Sequence, residues 1–230
     1  MLADDPRLLR ATGRLAPELR LAEAWRASLV EFIAEALPVW RDDPSRPPAT
    51  AETELTSQLC GFLNSATRHS RGWDYLQFRV EEPDETKKGR AIDLIAAPSG
   101  VRVWIDGALF PIECKRMPTP TGPSRDEREY LHSRHGSRGG VQRFKAGAHG
   151  AAHRNAGMIA YVQTDGIEAW RQRISQWILD LIATLPDWSS ADMIQLQRHD
   201  LGKRLAVLGS QHPRANDLVP LAVDHLWIEM

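Results

Sequence analysis

Two stretches place charge inside otherwise apolar runs: AIDLIAAPSG at 91–100 and PIECKRM at 111–117. They carry Asp93, Glu113 and Lys115. Charged side chains enter strand interiors when they are paired or when they bind something. In a strand, residues two apart share a face about 6.6 Å apart. Glu113 and Lys115 therefore project together, while Ile112 and Cys114 turn to the opposite, packing face. If the two runs are neighbouring strands, Asp93 comes beside Glu113. Two carboxylates ~4 Å apart repel by about 4 kcal/mol at an effective dielectric near 20. A hard divalent cation with oxygen ligands relieves that repulsion, and Mg²⁺ suits it because it keeps water and phosphate oxygens as its remaining ligands; Mn²⁺ can substitute. A cation held there acidifies a water and neutralises charge on a phosphate, and Lys115 beside it orients the water or stabilises the same charge. Those parts together perform phosphodiester hydrolysis.

Asp93, nineteen intervening residues, then Glu113-Cys114-Lys115 resembles the signature of the PD-(D/E)XK nuclease superfamily, over roughly residues 51–180. Ile92 stands where that signature often has proline. The resemblance implies a restriction-endonuclease-like αβββαβ core and a Mg²⁺-dependent endodeoxyribonuclease that leaves 5′-phosphate ends on DNA. It also implies metal ligation by Asp93, Glu113 and the backbone carbonyl of Cys114. Restriction, anti-phage defence, repair and recombination are all roles open to such an enzyme. Members of the superfamily often add a glutamate from the leading helix, for which Glu52 and Glu54 are the candidates. At 100° per residue Glu52 lies about 20° from Leu59 on the apolar stripe, and Glu54 about 140° away, so helical phase favours Glu52. Either acid would equally complement the helix dipole. Resolvase-like branches carry a glutamine on the helix after the motif strand, a position that Gln142 fits; an ordinary helix-start glutamine is the other reading.

Elements must hold these residues. Residues 16–40 and 51–66 read as amphipathic helices, separated by the proline-bearing RDDPSRPPAT. Extended runs follow at 74–81, 91–97, 101–105 and 109–115, with the last three joined by the turn sequences APSG and DG and read as antiparallel neighbours. Residues 116–137 read as a mobile polar loop, GGVQRFKAGAHGAAHRNA as a Gly-opened helix and GMIAYVQTD as a buried strand. A long helix from 166 and three C-terminal strands complete an α/β fold, a mixed central sheet flanked by helices. The expected division is a helical extension at 1–45 and a nuclease domain at 51–230.

The formal net charge is −1, which gives no global attraction to nucleic acid. Between 115 and 154, however, nine Lys or Arg stand against three acids, a local excess of six. Arg116, Arg138, Arg143 and Lys145 are the phosphate-contact candidates, and the amides at the Gly139-Gly140 helix start are a further one. His149 and His153 have the i, i+4 spacing of a zinc pair, without an accompanying cysteine pair. Ser210, His212 and Arg214 alternate on one strand. Two cysteines without a CxxC pair, and no apolar leader, suggest a cytoplasmic protein without a membrane segment. A homodimer or a protein partner is expected to supply specificity, since no base-reading module is recognisable. The alternative is a catalytically inactive nucleic-acid-binding module or a subunit of a larger complex.

Overall fold

The computed structural model describes residues 23–83, 91–100, 108–136, 138–214 and 218–230. The strand expected at 101–105, and the part of the first helix before residue 23, lie outside them. Helices α1 (Glu23–Arg41) and α2 (Glu52–His69) precede strands β1 (Leu76–Pro83), β2 (Ala91–Pro98) and β3 (Phe110–Met117). Then come α3 (Gly140–Lys145), β4 (Asn155–Val162), α4 (Gly166–Thr184), and strands β5 (Gln195–Asp200), β6 (Leu205–His212) and β7 (Leu221–Glu229).

The strands form one seven-stranded mixed sheet in the order β1-β2-β3-β4-β7-β6-β5. β1, β2 and β3 pair antiparallel, β3–β4 and β4–β7 parallel, and β7, β6 and β5 antiparallel. Period-2 alternation divides the side chains of the sheet between two cores. Leu94, Ile112, Cys114, Ile159 and Tyr161 pack against α1 and α2 on one face. Met117, Met158, Ala160, Leu208 and Trp227 pack against α3 and α4 on the other, where Trp170, Ile174, Trp177, Ile178 and Leu181 form the apolar stripe of α4.

Leu29, Ile33, Leu37 and Trp40 of α1 are buried in the same core as α2. Two expectations are corrected. α3 is six residues long instead of continuing toward Ala156, because Gly147 and Gly150 take φ of +61°, which ends helical geometry. The segment read as a loose loop also contains a packed portion. Tyr130 and Leu131 are buried, and the buried Asp126 carboxylate accepts from the backbone N–H groups of Arg128 and Arg134.

Candidate active site

The ladder between β2 and β3 is built from the pairs Leu94–Ile112, Ile95–Pro111 and Ala96–Phe110. The next step would set Asp93 opposite Glu113. There the Asp93 side chain replaces the backbone partner: its Oδ2 accepts from the Cys114 N–H at 2.9 Å. The two strands part at this point, and the Lys115 ammonium lies in the opening.

Lys115 Nζ has oxygen neighbours on every supporting element. It lies 3.0 Å from Glu52 Oε1 on α2, 3.2 Å from Asp93 Oδ2 on β2 and 3.6 Å from Glu113 Oε2 on β3. It also donates to the Cys114 carbonyl at 2.8 Å. Glu52 is fixed through its second oxygen, which accepts from the Arg116 N–H at 3.1 Å. Glu54 faces solvent, so the helical phase assigns the two acids to their observed sides. Glu52, Thr53, Thr56, Ser57, Val80 and Asp93 line an adjoining cavity of about 220 Å³.

The three carboxylates differ in access. The side chains of Glu52 and Asp93 are 26% and 25% exposed, and that of Glu113 is 0%. Both Glu113 oxygens are engaged: Oε1 by His149 Nδ1, and Oε2 by Arg143 Nη1 at 3.0 Å. Burial raises the Asp93 carboxyl to about 6, reinforced by the Glu113 and Glu52 charges and opposed by Lys115. Burial would raise Glu113 as well, but Lys115, His149 and Arg143 outweigh it and hold that carboxyl at about 2. Burial would weaken the Lys115 ammonium, yet Asp93, Glu52 and Glu113 more than reverse this, and the amine stays charged. Burial pushes the Cys114 thiol far up, away from nucleophilic use.

Asp93, Glu113, Lys115 and Glu52 thus meet at one point, together with the Cys114 carbonyl and Arg143. Gln142 does not join them. Its Oε1 accepts from the Ser133 and Gly139 N–H groups at 3.1 and 3.2 Å, tying the loop to α3. Lys145 is corrected as a phosphate contact: its buried ammonium pairs with Asp192 at 2.6 Å. The α3 start is corrected too. Its amides at Gly140, Val141 and Gln142 already donate to the carbonyls of Glu129, Tyr130 and Leu131. Arg138 is exposed and reaches Ser124, and Arg116 reaches the Thr50 carbonyl. Of the nine cations between 115 and 154, Lys115, Arg125, Arg128, Arg134, Arg143 and Lys145 have carboxylate partners within the chain, which offsets much of the local excess. His153 bonds the Ala108 carbonyl and His149 bonds Glu113, and among the described residues they belong to no group of three or more potential metal ligands.

Sequence reasoning singled out His149 but missed its role as the partner of Glu113. Its spacing to His153 drew attention toward zinc, while its partner Glu113 is thirty-six positions away. No signal local to the sequence joins them.

Among the described residues, no three His, Cys, Asp or Glu side chains form a ready-made metal cage. The central cation is instead the chain's own ammonium, surrounded by carboxylate and carbonyl oxygens. That donor set is hard and anionic, matching what Mg²⁺ or Mn²⁺ takes. Among the described residues no helix is long and apolar enough to cross a membrane. The chain matches no family model, and no curated protein or solved structure is significantly similar to it.

Proposed function

We propose that the chain is a Mg²⁺- or Mn²⁺-assisted nuclease that hydrolyses DNA phosphodiester bonds on a restriction-endonuclease-like core of the PD-(D/E)XK type. The observation that carries this reading is the oxygen-lined opening between β2 and β3, filled by Lys115 and bounded by Glu52, Asp93, Glu113 and the Cys114 carbonyl. The succession α2-β1-β2-β3-α3-β4 supports it further.

Asp93 and Glu52, which line the accessible cavity, are the groups that would hold the divalent ion, with the Cys114 carbonyl that shares the Lys115 ammonium with them. Glu113 would join them from a fully buried position, with His149 and Arg143 already on its two oxygens. Bound there, the ion would acidify a water and offset charge on the scissile phosphate. Lys115, held charged by the carboxylates around it, would place a positive charge where negative charge develops on the phosphate oxygens. Arg143 extends the same field from α3, and Arg116 and Arg138 are left to hold the flanking backbone.

The test is nicking of supercoiled plasmid by wild type and Lys115→Ala in Mg²⁺, Mn²⁺ or EDTA. Loss of one such electrostatic group costs about 10²–10³-fold in rate. Equal cleavage by the variant, or cleavage that survives EDTA, rules the reading out. DNA binding without cleavage in any metal supports the catalytically inactive binding module instead.

A further inference from the structure

A continuous chain of buried polar side chains crosses the α3–α4 face of the sheet. Trp227 Nε1 donates to Tyr130 Oη at 2.8 Å, and Tyr130 Oη lies 2.6 Å from His225 Nδ1. His225 Nε2 is 2.7 Å from Ser210 Oγ, which is 2.7 Å from His212 Nε2. His212 Nδ1 reaches Asp192 Oδ1 at 2.6 Å, and Lys145 Nζ meets the same oxygen at 2.6 Å. The Asp192 Oδ2 accepts from the Ser189 N–H at 2.8 Å. Every member from Tyr130 to Lys145 is buried.

Donor and acceptor roles have one self-consistent assignment. Burial would raise the Asp192 carboxyl, but His212, Lys145 and the Ser189 amide hold it below its ordinary value, so it only accepts. Burial pushes both imidazoles below their ordinary range, so each carries one N–H. His212 must then hold its proton on Nδ1 and accept at Nε2 from the Ser210 hydroxyl. The Ser210 oxygen accepts in turn from His225 Nε2–H, and His225 Nδ1 accepts from Tyr130.

Ser210, His212 and Asp192 have the connectivity of a hydrolytic triad, but Ser210 is only 6% exposed and His225 occupies its oxygen. The two ends of the chain suggest a different use, because both grip the same element. Tyr130 belongs to the loop whose carbonyls cap the first turn of α3, its own accepting from the Val141 N–H. Lys145 is the last residue of α3. A six-residue helix cannot hold itself in water. Between its two anchors stands Arg143, bonded to Glu113.

We infer that this chain fixes α3 so that Arg143 meets Glu113, which makes Tyr130, His225, Ser210, His212 and Asp192 positioning residues of the phosphodiesterase site. The inference rests on the proposed function for its catalytic consequence, and on geometry alone for its structural one.

Three measurements on the full chain test it. Two-bond ¹H–¹⁵N correlation should find His212 as the Nδ1–H and His225 as the Nε2–H tautomer. In Ser210→Ala and Lys145→Met, amide exchange across 139–149 should rise about tenfold or more, while α1 and α2 exchange as in wild type. Cleavage by those variants should lose kcat about tenfold with KM within about twofold, and Lys145→Arg should recover part of it. Opposite tautomers, unaltered exchange at 139–149, or a uniform rise over the whole chain overturns the inference; so does covalent labelling of Ser210 by a fluorophosphonate. If tautomers and local exchange behave as stated while wild type cleaves nothing, the positioning of α3 stands and the nuclease reading fails.

Discussion

The ammonium of Lys115 and the carboxylates around it have unequal duties, and the inequality is testable one side chain at a time. Glu52 contacts Lys115 while Glu54 faces solvent. Glu52→Gln should therefore slow cleavage by about 10–100-fold, the usual cost of disturbing a ligand or its support. Glu54→Gln should stay within about twofold in the same plasmid assay. Asp93 and Glu113 also predict opposite pH behaviour of stability without metal. The folded Asp93 value of about 6 lies above its unfolded value of ~4, so the folded state binds the extra proton and stability falls as pH rises through that window. The folded Glu113 value of about 2 lies below its unfolded value of ~4, so its contribution is present above pH ~4 and is lost as pH falls toward 2. Urea midpoints in EDTA should show wild type losing on the order of 2 kcal/mol against Asp93→Asn between pH 4 and 7. Glu113→Gln should close on wild type only below pH 4. These residues were legible in the sequence because charge within apolar strands needs a reason. His149 was not, since its link to Glu113 exists only once the turn after α3 folds back onto β3.

At the scale of elements, α3 is where sequence reasoning and structure diverge most. Gly139-Gly140 was read as an opening for a phosphate, yet the close approach serves the chain itself. A Cβ at Gly139 would sit 2.6 Å from the Leu131 carbonyl oxygen and against the His132 backbone. Gly139→Ala should cost about 1–3 kcal/mol by forcing the loop off α3. The check is a urea titration together with amide exchange at 139–149, which should loosen first. Strands β4, β6 and β7 were readable because long apolar runs bounded by turn residues have few other fates. The burial of Ser210 and His212 was not readable. Alternation places them on one face without saying which, and their partners Asp192 and His225 lie on a 3-10 turn and a neighbouring strand.

At the scale of the molecule, α1 joins the packing of the sheet, so the expected boundary near residue 45 does not separate two cores. Leu37 and Trp40 are buried against α2 and the sheet. Leu37→Ala should cost about 2–5 kcal/mol and keep one cooperative transition, seen alike by tryptophan fluorescence and far-UV circular dichroism. A fragment beginning at residue 51 should fail to give that transition. Composition and periodicity made an α/β sheet with covered faces legible. They did not give the strand order, because pairing between distant strands leaves no local trace in the chain.

That order has a consequence for synthesis. β7 is the last strand of the sheet to leave the ribosome, yet its place is inside the sheet, between β4 and β6. Until it arrives, two unpaired edges stay open and Ser210 lacks His225, so the nascent chain cannot lock α3 over Glu113. A chain assembled this way can close its sheet only after the last of the seven strands has been made.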